Sequence, residues 1–90
     1  MKPQIVIYTK DYCPFCKAAK ALLTGKGVTF TNFEISNDDN KRAEMIARAS
    51  GRTTVPQIFI GDFHVGGYDD LAALNSAGGL DALLRPATTA

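Results

Sequence analysis

Apolar positions along the chain alternate between two periods. Ile5-Val6-Ile7-Tyr8 is β-branched and aromatic, lies between Pro3 and the polar Thr9-Lys10-Asp11, and predicts a short buried strand. From Pro14 the period lengthens. Phe15, Ala18, Ala19, Leu22 and Leu23 recur at helical spacing, with Lys17 and Lys20 between them. Pro14 suits the first helical position, where its missing N–H is no loss, and Gly25 and Gly27 end the helix. Partial alternation through Val28, Phe30, Phe33 and Ile35 predicts a second strand over 28–35. Ser36-Asn37-Asp38-Asp39 is a cap-like cluster. A helix carrying Ala43, Met45, Ile46, Ala47 and Ala49 follows it and stops at Gly51. Val55 to Ile60 predicts strand three and Phe63-His64-Val65 strand four, joined as a hairpin by Gly61-Asp62. Gly66-Gly67 breaks the chain. Asp69 or Asp70 then opens a third helix through Leu71 and Leu74 towards Leu80–Leu84. Arg85 to Ala90 reads as a frayed tail.

The predicted order is βαβ-α-ββ-α. Its first unit has the length of a right-handed parallel crossover. The fold class is therefore α/β: a four-stranded mixed sheet flanked on both faces by about three helices. Ninety residues supply one domain and leave no room for a second core. There are no repeats and no linkers.

Composition acts mainly by exclusion. The apolar fraction of 46% is that of an ordinary globular chain. The net charge is +1 and the Lys and Arg residues are scattered, so a nucleic-acid partner is not expected. No apolar stretch approaches the ~20 residues that cross a bilayer, and the run after MKPQ is too short for a signal-peptide core. The expected location is the cytoplasm, with no membrane partner. Phe30, Phe33, Phe59 and Phe63 read as core or sheet-face residues. His64 reads as an exposed hairpin residue without a role, and Arg48 and Arg52 as solvated charges.

One motif carries chemistry: Cys13-Pro14-Phe15-Cys16, between the first strand and the first helix. These are the only cysteines. A disulfide closing so short a loop is a poor staple, and in a reducing compartment such a pair is catalytic or metal-binding. A zinc site needs four ligands. With His64 the only histidine and no second Cys pair, no metal site is expected. Redox chemistry fits better. The thiolate is the nucleophile, and a free thiol, with a pKa of about 8.5, is mostly protonated at neutral pH. Cys13 falls at about the N-cap of the helix. There the free N–H groups and the positive end of the helix dipole favour a charged sulfur. Lys10 adds a nearby cation. Cys16 lies one turn in on the same face, within reach of Cys13 but less exposed. Cys13 is the expected attacking sulfur and Cys16 the resolving one.

Taken together, Tyr8-Thr9-Lys10, Cys13-Pro14-Phe15-Cys16, Thr54-Val55-Pro56-Gln57 and Gly66-Gly67-Tyr68-Asp69-Asp70 make the chain resemble a glutaredoxin from Ile5 to about Leu84. The resemblance implies a thioredoxin fold and glutathione as electron donor, with no permanently bound cofactor. It also implies reduction of protein disulfides and glutathione mixed disulfides by a dithiol enzyme, at about −200 to −230 mV. Phe15 stands where the family most often has Tyr, which removes one hydroxyl beside the site. Lys10 is the expected partner of the glycyl carboxylate of glutathione, and Arg42 a second candidate. The family holds Pro56 in the cis form, so that the backbone of Val55 faces the cysteinyl part, with Thr54 flanking that edge. Gly66 and Gly67 let the backbone approach closely. The N–H groups of Tyr68 and Asp69 then hold the γ-glutamyl carboxylate, and Asp69 or Asp70 takes the ammonium. Protein partners follow by analogy only, ribonucleotide reductase among them. A monomer is expected.

Two other functions share these motifs. A cluster-binding module would hold [2Fe–2S] between two monomers through one cysteine and one glutathione from each. Pro14 argues against it by stiffening the loop. A glutaredoxin-like protein reduced by thioredoxin reductase would keep the fold and change the donor. The residues assigned to glutathione argue against that.

Overall fold

The computed structural model describes residues 4–84. The tail expected at 85–90 lies outside them. The elements in chain order are β1 (Ile5–Thr9), α1 (Pro14–Gly25), β2 (Thr31–Glu34), α2 (Asp39–Arg48), β3 (Gln57–Ile60), β4 (Phe63–Gly66), α3 (Tyr68–Ser76) and α4 (Gly79–Leu84). The four strands form one sheet in the order β2-β1-β3-β4. β1 runs parallel to β2, with Val6 opposite Thr31 and Thr9 opposite Glu34. It runs antiparallel to β3, with Ile5 opposite Ile60 and Tyr8 opposite Gln57. β3 and β4 form the hairpin, whose register shifts between Ile58 and Phe59. This is the mixed sheet that the sequence pattern predicts.

β1 is central, and every one of its residues is buried. Its alternate side chains feed two separate cores. On one face Ile5 and Ile7 join Ile58 and Ile60 against Ala19 and Leu23 of α1, Leu71 of α3 and Leu80 of α4. On the other, Val6, Tyr8 and Phe59 pack against Met45 of α2 and Ala49 at its C-cap. A strand covered on both faces has no polar side to alternate with, which explains the unbroken apolar run from Ile5 to Tyr8.

Three boundaries differ from the sequence expectation. The helix expected from Asp69 to Leu84 is two helices, making four in all. Gly78, at φ +82°, turns the chain between them. α4 then docks on the end of α1, where Lys26 Nζ lies 2.9 Å from Asp81 Oδ1. β2 is shorter than 28–35. Val28 and Phe30 reach the first core from the loop before the strand, without joining the ladder. β3 starts at Gln57 rather than Val55, because Pro56 has no N–H to give a ladder. Phe59 is buried and Phe30 and Phe33 are half-buried, as expected, whereas Phe63 is exposed at the hairpin.

Leu23 has no exposed surface and joins α1 to the first core. Leu23→Ala should therefore lower unfolding free energy by about 2–5 kcal/mol. Urea unfolding would show this as a lower midpoint at an unchanged slope.

Candidate active site

β1 ends at Thr9, and a short turn delivers Cys13 to the start of α1. Cys13 is the N-cap, with extended backbone angles of φ −96° and ψ 112°. A helix begins with N–H groups that no earlier carbonyl can accept. Serine or aspartate oxygens commonly fill this role; here the Cys13 sulfur does, accepting the Cys16 N–H at 3.2 Å. Pro14 follows at the first helical position. The same sulfur, as a thiol, donates to the carbonyl oxygen of Val55 at 3.8 Å. Cys13 is half-buried and free, and Cys16 is free with no exposed surface. Burial pushes the Cys16 thiol up to about 12, and its hydrogen bond to the Cys13 sulfur adds to the rise. The two sulfurs are thus unequal, one reachable from outside and one held as a buried thiol.

Beside Cys13 lies an open groove of about 290 Å³. One wall is Thr54, Val55 and Pro56, with the Val55–Pro56 peptide bond cis. The opposite wall is Gly67, Tyr68, Asp69 and Asp70, where α3 begins. Phe15 closes the end nearest the cysteines and stacks on Tyr68, with ring centroids 6.2 Å apart. Arg52 also lines the groove. Its Nη1 lies 3.4 Å from Asp70 Oδ2, and the same oxygen accepts the Gly67 N–H at 3.0 Å. Asp70 therefore caps its own helix and holds Arg52 at once.

Gly66 makes this crowding possible. A Cβ there would meet Asp70 Oδ2 at 2.3 Å and Arg52 Nη1 at 2.9 Å, and its φ is +113°. Gly67 differs. A Cβ on it would sit 3.6 Å from the Pro56 carbonyl oxygen, an ordinary contact that would narrow the groove. The steric demand for glycine falls on Gly66, and Gly67 keeps the groove wide.

The structure brings together Phe15, Thr54, Val55, Pro56, Gly67, Tyr68, Asp69 and Asp70 from the sequence-derived set. Lys10 and Arg42 do not line the groove. Lys10 sits at the turn before Cys13, whose N–H reaches the Lys10 carbonyl at 3.4 Å. Arg42 is exposed on α2. Arg52 is the residue that sequence reasoning set aside as solvated. Its position just after the Ser50-Gly51 turn that follows α2, and two residues before Thr54, was the available signal. Arg48, also read as solvated, lays its guanidinium 4.3 Å from the Phe59 ring centre and donates to Tyr8 Oη at 3.1 Å. Among the described residues no group of His, Cys, Asp or Glu is placed to hold a metal ion.

A redox-type cysteine pair at a helix start, faced by a cis-proline loop on this sheet order, defines a thiol–disulfide oxidoreductase of the thioredoxin fold. Comparison with known proteins narrows the class. The glutaredoxin family model matches residues 5–65. The chain is 59% identical over 81 residues to glutaredoxin 3 of Escherichia coli, covering 90% of this chain and 96% of that one. It is 56% identical to a glutaredoxin of Pseudomonas aeruginosa over 91% of this chain and 96% of the relative. The solution structure of a glutaredoxin from Brucella melitensis superposes with a TM-score of 0.80 at 53% identity, covering 92% of this chain and 89% of that one. A buckwheat glutaredoxin–glutathione complex does so at 0.82 and 29%, covering 91% and 76%. The chain belongs to the glutaredoxin family, and it is accordingly a glutathione-dependent thiol–disulfide oxidoreductase with Cys13 and Cys16 at the active-site position.

Iodoacetamide at pH 8 should label Cys13 and leave Cys16 unmodified until the protein is unfolded. Mass spectrometry of the digested protein reads this directly, and equal labelling of the two would remove the division of roles. The folded state also holds the Cys16 proton more tightly than a free thiol would be held. Stability should therefore fall as pH rises from the free-thiol value of about 8.5 towards about 12, and this slope should become shallower in Cys16→Ser, where buried Tyr8, also raised, still contributes.

Proposed function

We propose that the groove binds the glutathionyl half of a mixed disulfide and presents its sulfur to Cys13. The observation that carries this is the position of the Cys13 sulfur, 3.8 Å from a carbonyl that belongs to the groove wall. An extended cysteinyl backbone laid along Thr54-Val55 pairs with that wall as one more strand. The N–H groups of Tyr68 and Asp69, at the start of α3, suit the γ-glutamyl carboxylate. The carboxylates of Asp69 and Asp70 suit the ammonium. The buckwheat protein crystallised with glutathione supports the same ligand here. Arg52 joins the binding set as a cation on the groove. Lys10 remains the candidate for the glycyl carboxylate from the cysteine side, while exposed Arg42 is the weaker one.

The reaction is a pair of sulfur exchanges. The Cys13 thiolate attacks the glutathione sulfur of a glutathionylated protein. That S–S bond breaks, Cys13–S–SG forms, and the protein leaves as a thiolate that takes up a proton. A second glutathione thiolate attacks Cys13–S–SG at the glutathione sulfur, releasing oxidised glutathione and restoring the Cys13 thiolate. With a protein disulfide, Cys13 forms the mixed disulfide with one sulfur of the substrate. Cys16 loses its proton and attacks Cys13, releasing the substrate as a dithiol. Burial is the first cause of the high Cys16 value, but part of the rise comes from the Cys13 sulfur. A Cys13 sulfur bonded to substrate carries no charge, which eases the loss of the Cys16 proton at the step that needs it. Two glutathiones then reduce Cys13–Cys16.

The reading places the chain in a reducing cytoplasm as a monomer, with glutathione as diffusible donor and disulfide-containing proteins as substrates. Among the described residues no helix is long and apolar enough to cross a membrane.

Cys13→Ser should abolish glutathione-dependent turnover of a small glutathione mixed disulfide. Cys16→Ser should keep that turnover and lose most reduction of protein disulfides. Full turnover by Cys13→Ser would overturn the assignment.

A further inference from the structure

Gln57 is a fully buried polar residue next to the groove wall, and none of the chemistry above uses it. The three described hydrogen bonds of its side chain run along one path. Its Nε2 donates to the Thr54 carbonyl oxygen at 3.0 Å and to Thr54 Oγ1 at 3.1 Å. Its Oε1 lies 2.7 Å from His64 Nε2. An amide oxygen only accepts, so His64 Nε2 carries the proton and donates. The imidazole is itself held in place. It stacks on Phe59 with centroids 4.7 Å apart and planes 18° apart, and Arg48 lies over the same Phe59 ring.

Burial favours neutral His64, and the positive charge of Arg52 adds to that preference. Its Nε2–H donates in either protonation state, so the link to Gln57 does not depend on the histidine's charge. Without His64 the buried Gln57 oxygen loses its donor and the amide is free to turn. The tie to Thr54 then loosens. Thr54 directly precedes Val55, whose carbonyl faces Cys13.

We propose that Gln57 and His64 are positioning residues: His64, through Gln57, holds the Thr54–Val55 edge in the form that receives the glutathionyl backbone opposite Cys13. This rests on the reading of the groove given under the proposed function. It assigns a role to the β3–β4 hairpin, which touches no substrate. It also predicts a specific kinetic signature. The pair acts on binding along the groove wall and not on the sulfur exchange.

The test compares wild type with His64→Phe, which keeps a ring on Phe59 and loses the donor, and with His64→Gln, which restores an N–H. A third variant, Gln57→Met, removes both halves of the link. In steady-state turnover of a small glutathione mixed disulfide, His64→Phe should raise KM roughly fivefold, the scale of one net hydrogen bond. Its kcat and its rate of Cys13 alkylation should stay at the wild-type level. His64→Gln should return KM to the wild-type value. In the NMR spectrum of the wild type, the His64 imidazole N–H should be protected from solvent exchange. An unchanged KM in folded His64→Phe, or no rescue by His64→Gln, overturns the proposal. Gln57→Met should match His64→Phe in KM, and a folded Gln57→Met with wild-type KM overturns it as well. The two readings fail separately. A wild type that does not saturate with the mixed disulfide removes the groove assignment while the protected N–H persists. A wild type that saturates, with variants that match it, removes only the positioning role.

Discussion

A single sulfur fills the place of a helix cap, and the active site is arranged around that substitution. Cys13 accepts the Cys16 N–H where an oxygen would ordinarily sit. The helix start thereby gains a partner and the sulfur gains the positive end of α1. An oxygen cap would stabilise the helix equally well and do no redox chemistry. Using sulfur makes the cap the reagent, and it fixes where every other part of the site must be. Cys16, on the same face but one turn further into the helix, is buried, while Cys13 at the helix start is half-buried. The cis-proline loop must come to within reach of one defined atom.

The sheet supplies that precision. β1 is packed on both faces, so the turn that follows it starts from a strand anchored in both cores. β3 lies directly beside β1, and the groove wall ends where β3 begins. The Cys13 sulfur and the Thr54–Pro56 wall therefore adjoin neighbouring strands of one sheet, one just after β1 and the other just before β3. The other wall is set by Gly66, whose lack of a side chain lets Asp70 and Arg52 close against the backbone.

Most of this was legible in the sequence wherever a local rule sufficed. The strand from Ile5, the cap at Cys13, Pro14 at the helix start and the hairpin at Gly61-Asp62 each follow from a few neighbouring residues. Most of the groove was legible only through the resemblance to glutaredoxins, whose motifs fall in two short segments, Thr54–Pro56 and Gly67–Asp70. What escaped depends on residues far apart in the chain. Arg52 looks solvated until Asp70 is brought beside it. His64 looks like an idle hairpin residue until the hairpin closes on Gln57. The split of the last helix was written in Gly78, but a single glycine does not reveal whether a helix bends or ends. Val28 and Phe30 had the alternation of a strand and serve instead as apolar anchors for the approach to one.

The sheet has two open borders, and their construction bears on life in a crowded solution. β2 is four residues long, and Lys41 lies over its Phe33 ring at 4.1 Å. β4 is equally short, its ladder shifts register at Ile58/Phe59, and it ends at Gly66. Neither border offers a long flat row of unpaired amides to a foreign strand. Backbone pairing with a passing chain is thereby disfavoured at both borders, so the sheet stays closed to extension from either side.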